Sequence, residues 1–411
     1  MTEMRQRAVW TLAITGVGMC ASAAMAAGWP PPRSRAAAPA TVDVASVSVT
    51  NALATARANE TIALERADVV RVAPSFDLKA AQVADAAGRH VPSQIVDMDG
   101  DDEPDELVFQ TDLAAGQTKT FRIRAGQRTP APRGEYKVYG RFARERHDDF
   151  VWENDLVAHR MYGPDLETTP KEPLVSSGID TWVKRVPRLL ANDWLMTGDY
   201  HRDTGEGADF YGVGKSRGCG GLGIWAGGKL AVSRNFVSSR VLASGPIRLV
   251  FELRYAPFDV GPGVRVAETK RVVLDAGSPF NRFESTFSGG GKAGLSAGVG
   301  IAKHAGSALV VDAASASMRV WEPLKGKQGD DNGNLGCAVV LAPGSVLEEH
   351  HGDVDYLVAT PVPASGKLSY HMGSAWDRAR RVRDAAAWDR EVRALAARLA
   401  APVKVEVSAP R

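Results

Sequence analysis

Cysteine is scarce in this sequence, 3 in 411 residues, which excludes a disulfide-framed mini-domain and a cysteine-built zinc cluster. Charge of one sign is scarce as well: 50 Lys and Arg against 48 Asp and Glu leave a formal net charge of +2. That falls short of the basic footprint needed to bind a phosphate backbone, so nucleic acid is not an expected partner. Beyond the first segment, no apolar run approaches the ~20 residues of a membrane span. Nucleotide motifs occur in spelling only. Gly218 to Gly223 reads G-x-G-x-x-G, but Lys215-Ser216-Arg217 precedes it and Ile224-Trp225 follows, with none of the strand, helix and acidic partner the motif requires. Gly223 to Lys229 resembles a P-loop but is followed by Leu230 instead of Ser or Thr.

What is present begins with an export signal. Arg5 and Arg7 precede an apolar stretch from Ala8 to about Ala21, and Ala24-Met25-Ala26 has the A-x-A form of a cleavage site. A signal peptide over residues 1–26 is expected, then a Pro- and Ala-rich flexible linker over 27–41. The mature chain is expected in the periplasm or outside the cell, with no membrane attachment once the leader is removed. Cys20 leaves with the leader, and whether Cys219 and Cys337 then pair stays open at this stage.

From Val42 onward the texture is that of short strands. Apolar residues alternate at Val42, Val44, Val47 and Val49, with further runs at Val69 to Val72 and Leu107 to Phe109. After a middle segment the texture resumes in runs about ten residues apart from Leu230 to Thr360, bounded by Gly, Pro, Asn or Asp. This predicts a mostly β protein, an antiparallel β-sandwich or barrel forming one large domain over 42–411, with N-terminal strands over 42–125. Helical spacing occurs only in the tail: Trp376, Val382 and Ala386, then Trp388, Val392, Leu395 and Leu399, predict a C-terminal helix over 374–400. The absence of βαβ alternation disfavours a doubly wound fold.

Two segments carry chemistry. Around Gly100, the carboxylates Asp97, Asp99, Asp101 and Asp105 form an oxygen-rich turn suited to a structural calcium ion, the one ion expected, with no cofactor required for activity. A solvated turn whose Asp residues bond their own backbone is the competing reading. The segment 139–228 is rich in groups that bind or react, including three of the eight His. If 156–162 is a strand, Val157, His159 and Met161 share one face and Ala158, Arg160 and Tyr162 the other. Tyr200-His201-Arg202-Asp203 forms a second cluster. Trp and Tyr offer flat platforms to sugar rings while Arg, Asn and Asp hold carboxylates and hydroxyls, so Arg141, Arg144, Trp152, Glu153, Asn154, Asp155, Arg160, Trp182, Lys184, Arg202 and Asp203 are candidate contacts to an acidic oligosaccharide.

Glu145-Arg146-His147-Asp148-Asp149-Phe150-Val151-Trp152-Glu153-Asn154-Asp155 and Arg160-Met161-Tyr162-Gly163-Pro164 resemble a bacterial secreted family named only as a domain of unknown function. The resemblance continues through Gly178 to Arg185, Asp199 to Gly207 and Gly373 to Asp377. It implies a super-β-sandwich like that of galactose mutarotase and an association with the breakdown of pectin and other uronic-acid polysaccharides. It transfers no catalytic assignment.

The expected function is an exported enzyme acting on uronic-acid oligosaccharides by β-elimination or by hydrolysis. Elimination needs the uronate carboxylate neutralised (Arg141, Arg160 or Arg202), a base (His159 or His201) and an acid (Tyr162 or Tyr200). Hydrolysis needs two carboxylates across the bond, drawn from Glu153, Asp155, Asp203 and Glu284. A mutarotase or epimerase using His201 with Glu284 and a non-catalytic glycan-binding protein are the alternatives.

Overall fold

The computed structural model describes residues 41–128, 131–170, 173–289, 294–325 and 329–410. The expected leader and nearly all of the linker lie outside them. Residues 41–411 form one compact unit. It is mostly β, built of antiparallel sheets packed as sandwiches, with the C-terminal helix the spacing predicts.

The first strands make a small sandwich. One sheet orders the strands Lys404–Ser408, Val42–Thr50, Thr118–Ala125, Ala81–Asp85 and His90–Val91, so the last strand of the chain pairs with the first. The opposing sheet comprises Arg57–Glu65, Glu106–Leu113 and Ser93–Val96. Alternation in Val42–Thr50 turns Val47 and Val49 inward onto Ile62, Leu64, Phe109 and Phe121. The run Val69 to Val72 is not a strand: Arg66–Val72 is a helix that buries Val69 against this core.

An eight-stranded antiparallel sheet dominates the rest, in the order Ser238–Ala243, Arg248–Gly261, Val264–Asp275, Phe280–Ser288, Lys367–Trp376, Asp331–Leu341, Ser317–Lys325 and Ala308–Asp312. Facing it are two five-stranded sheets. One runs Lys229–Ala231, Cys219–Ala226, Ser296–Ala302, Asp355–Pro361 and Glu348–His351; the other Gly207–Ala208, Asp180–Lys184, Ala158–Met161, Asp149–Asn154 and Val138–Ala143. A bridge between Ile179 and Gly218 joins the two, and a single apolar core containing Phe150, Phe251, Phe283, Ile224 and Val299 fills the space beneath. Cys219 and Cys337 sit in this core as free thiols.

The outer face of the eight-stranded sheet is covered from two sides. The small sandwich packs Val96 and Val108 on Ile247, Val250 and Val273, and Gln94 clasps the Ile247 and Arg248 backbone with three hydrogen bonds of 2.8–3.0 Å. The helix covers the other side but is shorter than its spacing predicts, Ala385–Ala400. Residues 374–376 belong to the strand Lys367–Trp376, because Leu335, Gly336 and Cys337 pair with them, and the Asp384 carboxylate caps the helix by accepting from Ala387 N at 2.7 Å. Trp388 anchors it, buried and stacked on Phe280 with ring centroids 5.5 Å apart. Trp388→Ala is expected to cost about 3–5 kcal/mol, read as a lower midpoint in urea unfolding. None of the helices among the described residues is long and apolar enough to cross a membrane.

Candidate functional site

The register of the Ala158–Met161 strand sets the site. Val157 and Met161 enter the main core, so Ala158 and Arg160 take the opposite face. Arg160 lies directly across from Asp180 on the neighbouring strand. Its guanidinium reaches Asp180 Oδ2 at 2.6 Å, Asp209 Oδ2 at 3.5 Å and Asp149 Oδ2 at 3.8 Å, and donates to the Tyr200 hydroxyl at 3.3 Å. It also lies over the rings of Tyr162 and Trp182. Three buried carboxylates thus share one buried guanidinium, an arrangement that favours the protonated form of Asp149 and Asp209. Burial pushes Asp149 up to about 6, with the Asp180 charge adding to the effect and Arg160 opposing it. Burial and then the Asp180 charge raise Asp209 well above the ordinary carboxylate range, against the pull of Arg160 and Arg146.

The loop after Thr197 covers this cluster. Asp209 N donates to Tyr200 O at 2.7 Å, closing the loop, and Asp203 Oδ1 accepts from Gly205 N and Gly207 N. Gly207 has φ 126° and pairs with Lys184; a Cβ there would lie 1.9 Å from Val183 O, so glycine is required. The loop presents His201, whose Nδ1 lies 3.1 Å from Asp209 O and 3.6 Å from Asp209 Oδ2. A carbonyl only accepts, so Nδ1 carries the hydrogen and a neutral His201 keeps the Nε2 lone pair free.

Beyond the loop lies a cleft of about 930 Å³, lined by Arg146, Arg160, His201, Arg202, Asp203, Asp209, Tyr211, His304, Lys325, Asp330 and Arg378 among others. Arg146 donates to the Tyr200 hydroxyl through Nε at 2.6 Å. His304 is clamped, with Nδ1 2.9 Å from the buried Glu322 carboxylate and Nε2 2.7 Å from Gly212 O. Burial works against its proton, but Glu322 outweighs burial and raises the imidazole.

Of the residues the sequence pointed to, His201, Arg160, Arg202 and Asp203 line the cleft, with Tyr200 immediately behind. Arg160 is committed to its acidic neighbours and Tyr200, leaving Arg146 and Arg202 as the accessible guanidiniums on that wall. His159 sits on the core face: it is wholly buried, Asn281 Nδ2 donates to its Nε2 at 3.0 Å, and burial depresses it to about 3. Tyr162 is buried under Arg160, and burial raises its phenol far above the usual range. Glu284 is on the outer face of the eight-stranded sheet, paired with Lys367 at 3.0 Å and Arg282 at 3.4 Å, so it does not meet His201.

The remaining candidates hold the fold together. Trp152 is in the core and donates to Asn281 Oδ1 at 2.8 Å; Trp182 is buried against Trp194 and Tyr200. Glu153 pairs with Lys184 at 2.6 Å and accepts the backbone N–H groups of Leu190 and Ala191. Asn154 ties down the backbone at Asp275 and Ser278, and Asp155 accepts from Gly277 N at 2.7 Å. Arg141 pairs with Glu145, and Arg144 is exposed outside the cleft lining. Sequence reasoning gave no role to Arg146, Asp149, Asp180, Asp209, His304, Lys325 or Arg378. Two G-x-S-x-G spellings, Gly214 to Gly218 and Gly294 to Gly298, are not nucleophile elbows: each leads into a strand, where the elbow needs a helix.

In the acidic turn, Asp97, Asp99 and Asp105 each offer an oxygen within 4.8 Å of the others; Asp101 is outside that group. The Asp97 carboxylate is partly desolvated, yet backbone N–H groups of Gly100, Asp102 and Asp99 hold it below its ordinary range. Arg240 donates to the Asp99 and Gly100 carbonyls, so an ion here would be held by carboxylates and water.

Asp149→Asn tests the carboxylate cluster. An acid raised in the folded state stabilises below its unfolded value near 3.8 and loses that contribution as pH rises through about 6. Asn mimics the protonated acid, so the variant is expected to gain on wild type in unfolding midpoint as pH rises from 4 to 7. An unchanging difference would contradict the proton count.

Comparison with known proteins gives four findings. Residues 49–405 match the family model described as "Domain of unknown function (DUF4861)". An uncharacterized protein, P7, of Formosa agariphila is 30% identical over 376 residues, covering 88% of this chain and 93% of that protein. Among solved structures, a protein in the glycosyl hydrolase family 38 from Enterococcus faecalis aligns over 90% of this chain at 11% identity, with a TM-score of 0.47. An alpha-mannosidase from Enterococcus faecalis also aligns over 90%, at 10% identity and a TM-score of 0.40. The chain spans about half the length of these two structures, 49% and 47%, and neither likeness bears on the chemistry of the cleft. With the match running from the first strand into the last, the chain belongs to the DUF4861 family.

Proposed function

We propose that this protein is an exported enzyme, periplasmic or secreted, that cleaves uronic-acid oligosaccharides by β-elimination at the cleft bearing His201. The observation that carries the reading is the composition of that cleft: a histidine with a free Nε2 stands among Arg146, Arg202, Lys325 and Arg378. Of the carboxylates weighed for hydrolysis, Glu153, Asp155 and Glu284 lie elsewhere, and Asp203 is held by Arg185 and two backbone N–H groups. Trp152 and Trp182, the two residues weighed as sugar platforms, are buried away from the cleft.

In this reading a uronate carboxylate is neutralised by Arg146 and Arg202, which acidifies the C5 proton. His201 Nε2 takes that proton as the C5–H and C4–O bonds break and the C4=C5 bond forms. Asp209, a cleft-lining carboxyl that burial and the Asp180 charge push toward its protonated form, supplies the proton that the leaving oxygen needs. The expected test result, on incubation with uronic-acid oligosaccharides, is growth of the ultraviolet absorbance of unsaturated uronates in step with new reducing ends. New reducing ends without absorbance would mean hydrolysis and overturn the proposal.

A calcium ion at Asp97, Asp99 and Asp105 is proposed as structural only, because the turn shares no lining residue with the cleft. Millimolar calcium is expected to raise the unfolding temperature by a few degrees and leave turnover unchanged; a turnover requirement for calcium would contradict this.

A further inference from the structure

The cleft is lined by cations that come from two distant parts of the chain. Arg146, in the turn Arg144–Arg146, and Arg202 come from the segment that carries the His201 loop. Lys325, at the end of the strand Ser317–Lys325, and Arg378, in the turn Asp377–Ala379, come from the far end of the chain. Among the described residues, Arg146, Arg202 and Lys325 have no carboxylate in ion-pair range, and Arg378 has only Asp331, itself 86% exposed, at 3.4 Å. The acids of the lining do not balance these charges. Asp203 is paired with Arg185, Asp209 is buried against Arg160, and Asp330 is the one acid left.

Arg185 ties these two parts of the chain together, since it pairs with Asp203 of the His201 loop while its guanidinium lies 4.7 Å from the centroid of the Trp376 ring, two residues before Arg378. A volume of about 930 Å³ is at the upper end for a ligand pocket and corresponds to a space roughly 12 Å across, more than one sugar ring fills.

We infer that the cleft recognises an oligosaccharide with at least two carboxylates on separate sugar units, one met by Arg146 and Arg202 and the second by Lys325 and Arg378. This rests on the uronate reading above but concerns binding, so the two can fail separately. Four cations facing one acid attract a polyanion, and a single carboxylate leaves most of that field unused. Linking two carboxylates through one chain makes the second contact intramolecular, which raises affinity without any new kind of contact.

The test is calorimetric titration of the whole chain, as wild type and as the Lys325→Gln/Arg378→Gln double variant, with galacturonic acid, its dimer and a neutral galactose dimer. In wild type the diuronate is expected to bind at least tenfold tighter than the monouronate, with no detectable binding of the neutral dimer. In the double variant the diuronate should fall to within about twofold of the monouronate, whose own affinity is retained. Equal affinities in wild type, or an equal loss for both uronates in the variant, would overturn the inference. The tenfold preference without any unsaturated product would contradict the elimination and leave the two-carboxylate recognition standing; failure of every uronate to bind would overturn both.

Discussion

Replacing His201 with Ala is expected to lower kcat on uronate oligosaccharides by at least about 100-fold, the usual scale for losing a positioned acid or base. Its unfolding temperature should stay within a few degrees of wild type. The two halves follow from one geometry. The ring is 42% exposed and its hydrogen bond is to the Asp209 carbonyl, so little folding energy depends on it. That same bond fixes the proton on Nδ1 and leaves Nε2 as the one uncommitted imidazole nitrogen on the cleft wall, because His304 has both nitrogens engaged. KM should change little, since the carboxylate is held by arginines. Full activity in His201→Ala would remove this residue from the mechanism, and a collapse of the unfolding temperature would mean that its role is structural.

Arg160→Met is expected to be far more damaging to the fold, by about 3–5 kcal/mol at pH 7, because it removes the cation and leaves its buried acids behind. Methionine keeps the stem between Tyr162 and Trp182 but offers nothing to Asp180, Asp149 and Asp209. The defect has a sign in pH. Asp149 and Asp209 bind protons more tightly in the folded state than in the unfolded chain, so their contribution to stability is present at low pH and fades as pH rises. Without Arg160 this dependence steepens, and the gap between variant and wild type should narrow as pH falls from 7 toward 5. A gap that is constant across that range would contradict the shared-proton account.

The fold was largely legible because alternation is a local signal. Strand texture after Val42 and the apolar face of the last helix could be read residue by residue, and both are present. The misreadings have physical causes. Trp376 and Val382 both fall within the expected helix although six residues separate them, which is not helical spacing; Trp376 pairs with Leu335 in the eight-stranded sheet and the helix waits for the Asp384 cap. Glu284 shares its strand face with Arg282 and Thr286, and alternation alone cannot say on which side of a sheet that face lies.

The site was half legible for related reasons. His201 could be found because Tyr200-His201-Arg202-Asp203 places four polar or aromatic groups in a glycine-punctuated loop. His159 could have been set aside from the same alternation that paired Arg160 with Ala158, since it shares the apolar face of Val157 and Met161. Asp149 and Asp180 stand in the very stretches that carry the family resemblance, yet only strand register shows that Asp180 faces Arg160. His304, Lys325 and Arg378 come from more than 100 residues downstream of His201, and nothing local in their surroundings announces the cleft.

The most direct test is where an acidic oligosaccharide sits. A crystal structure of the His201→Ala variant soaked with a uronate oligomer is predicted to show the sugar in the His201 cleft, one carboxylate against Arg146 and Arg202 and its C5–H facing the space left by the imidazole. Sugar bound instead in the groove lined by Gln82, Arg133 and Tyr136, with the His201 cleft empty, would contradict it.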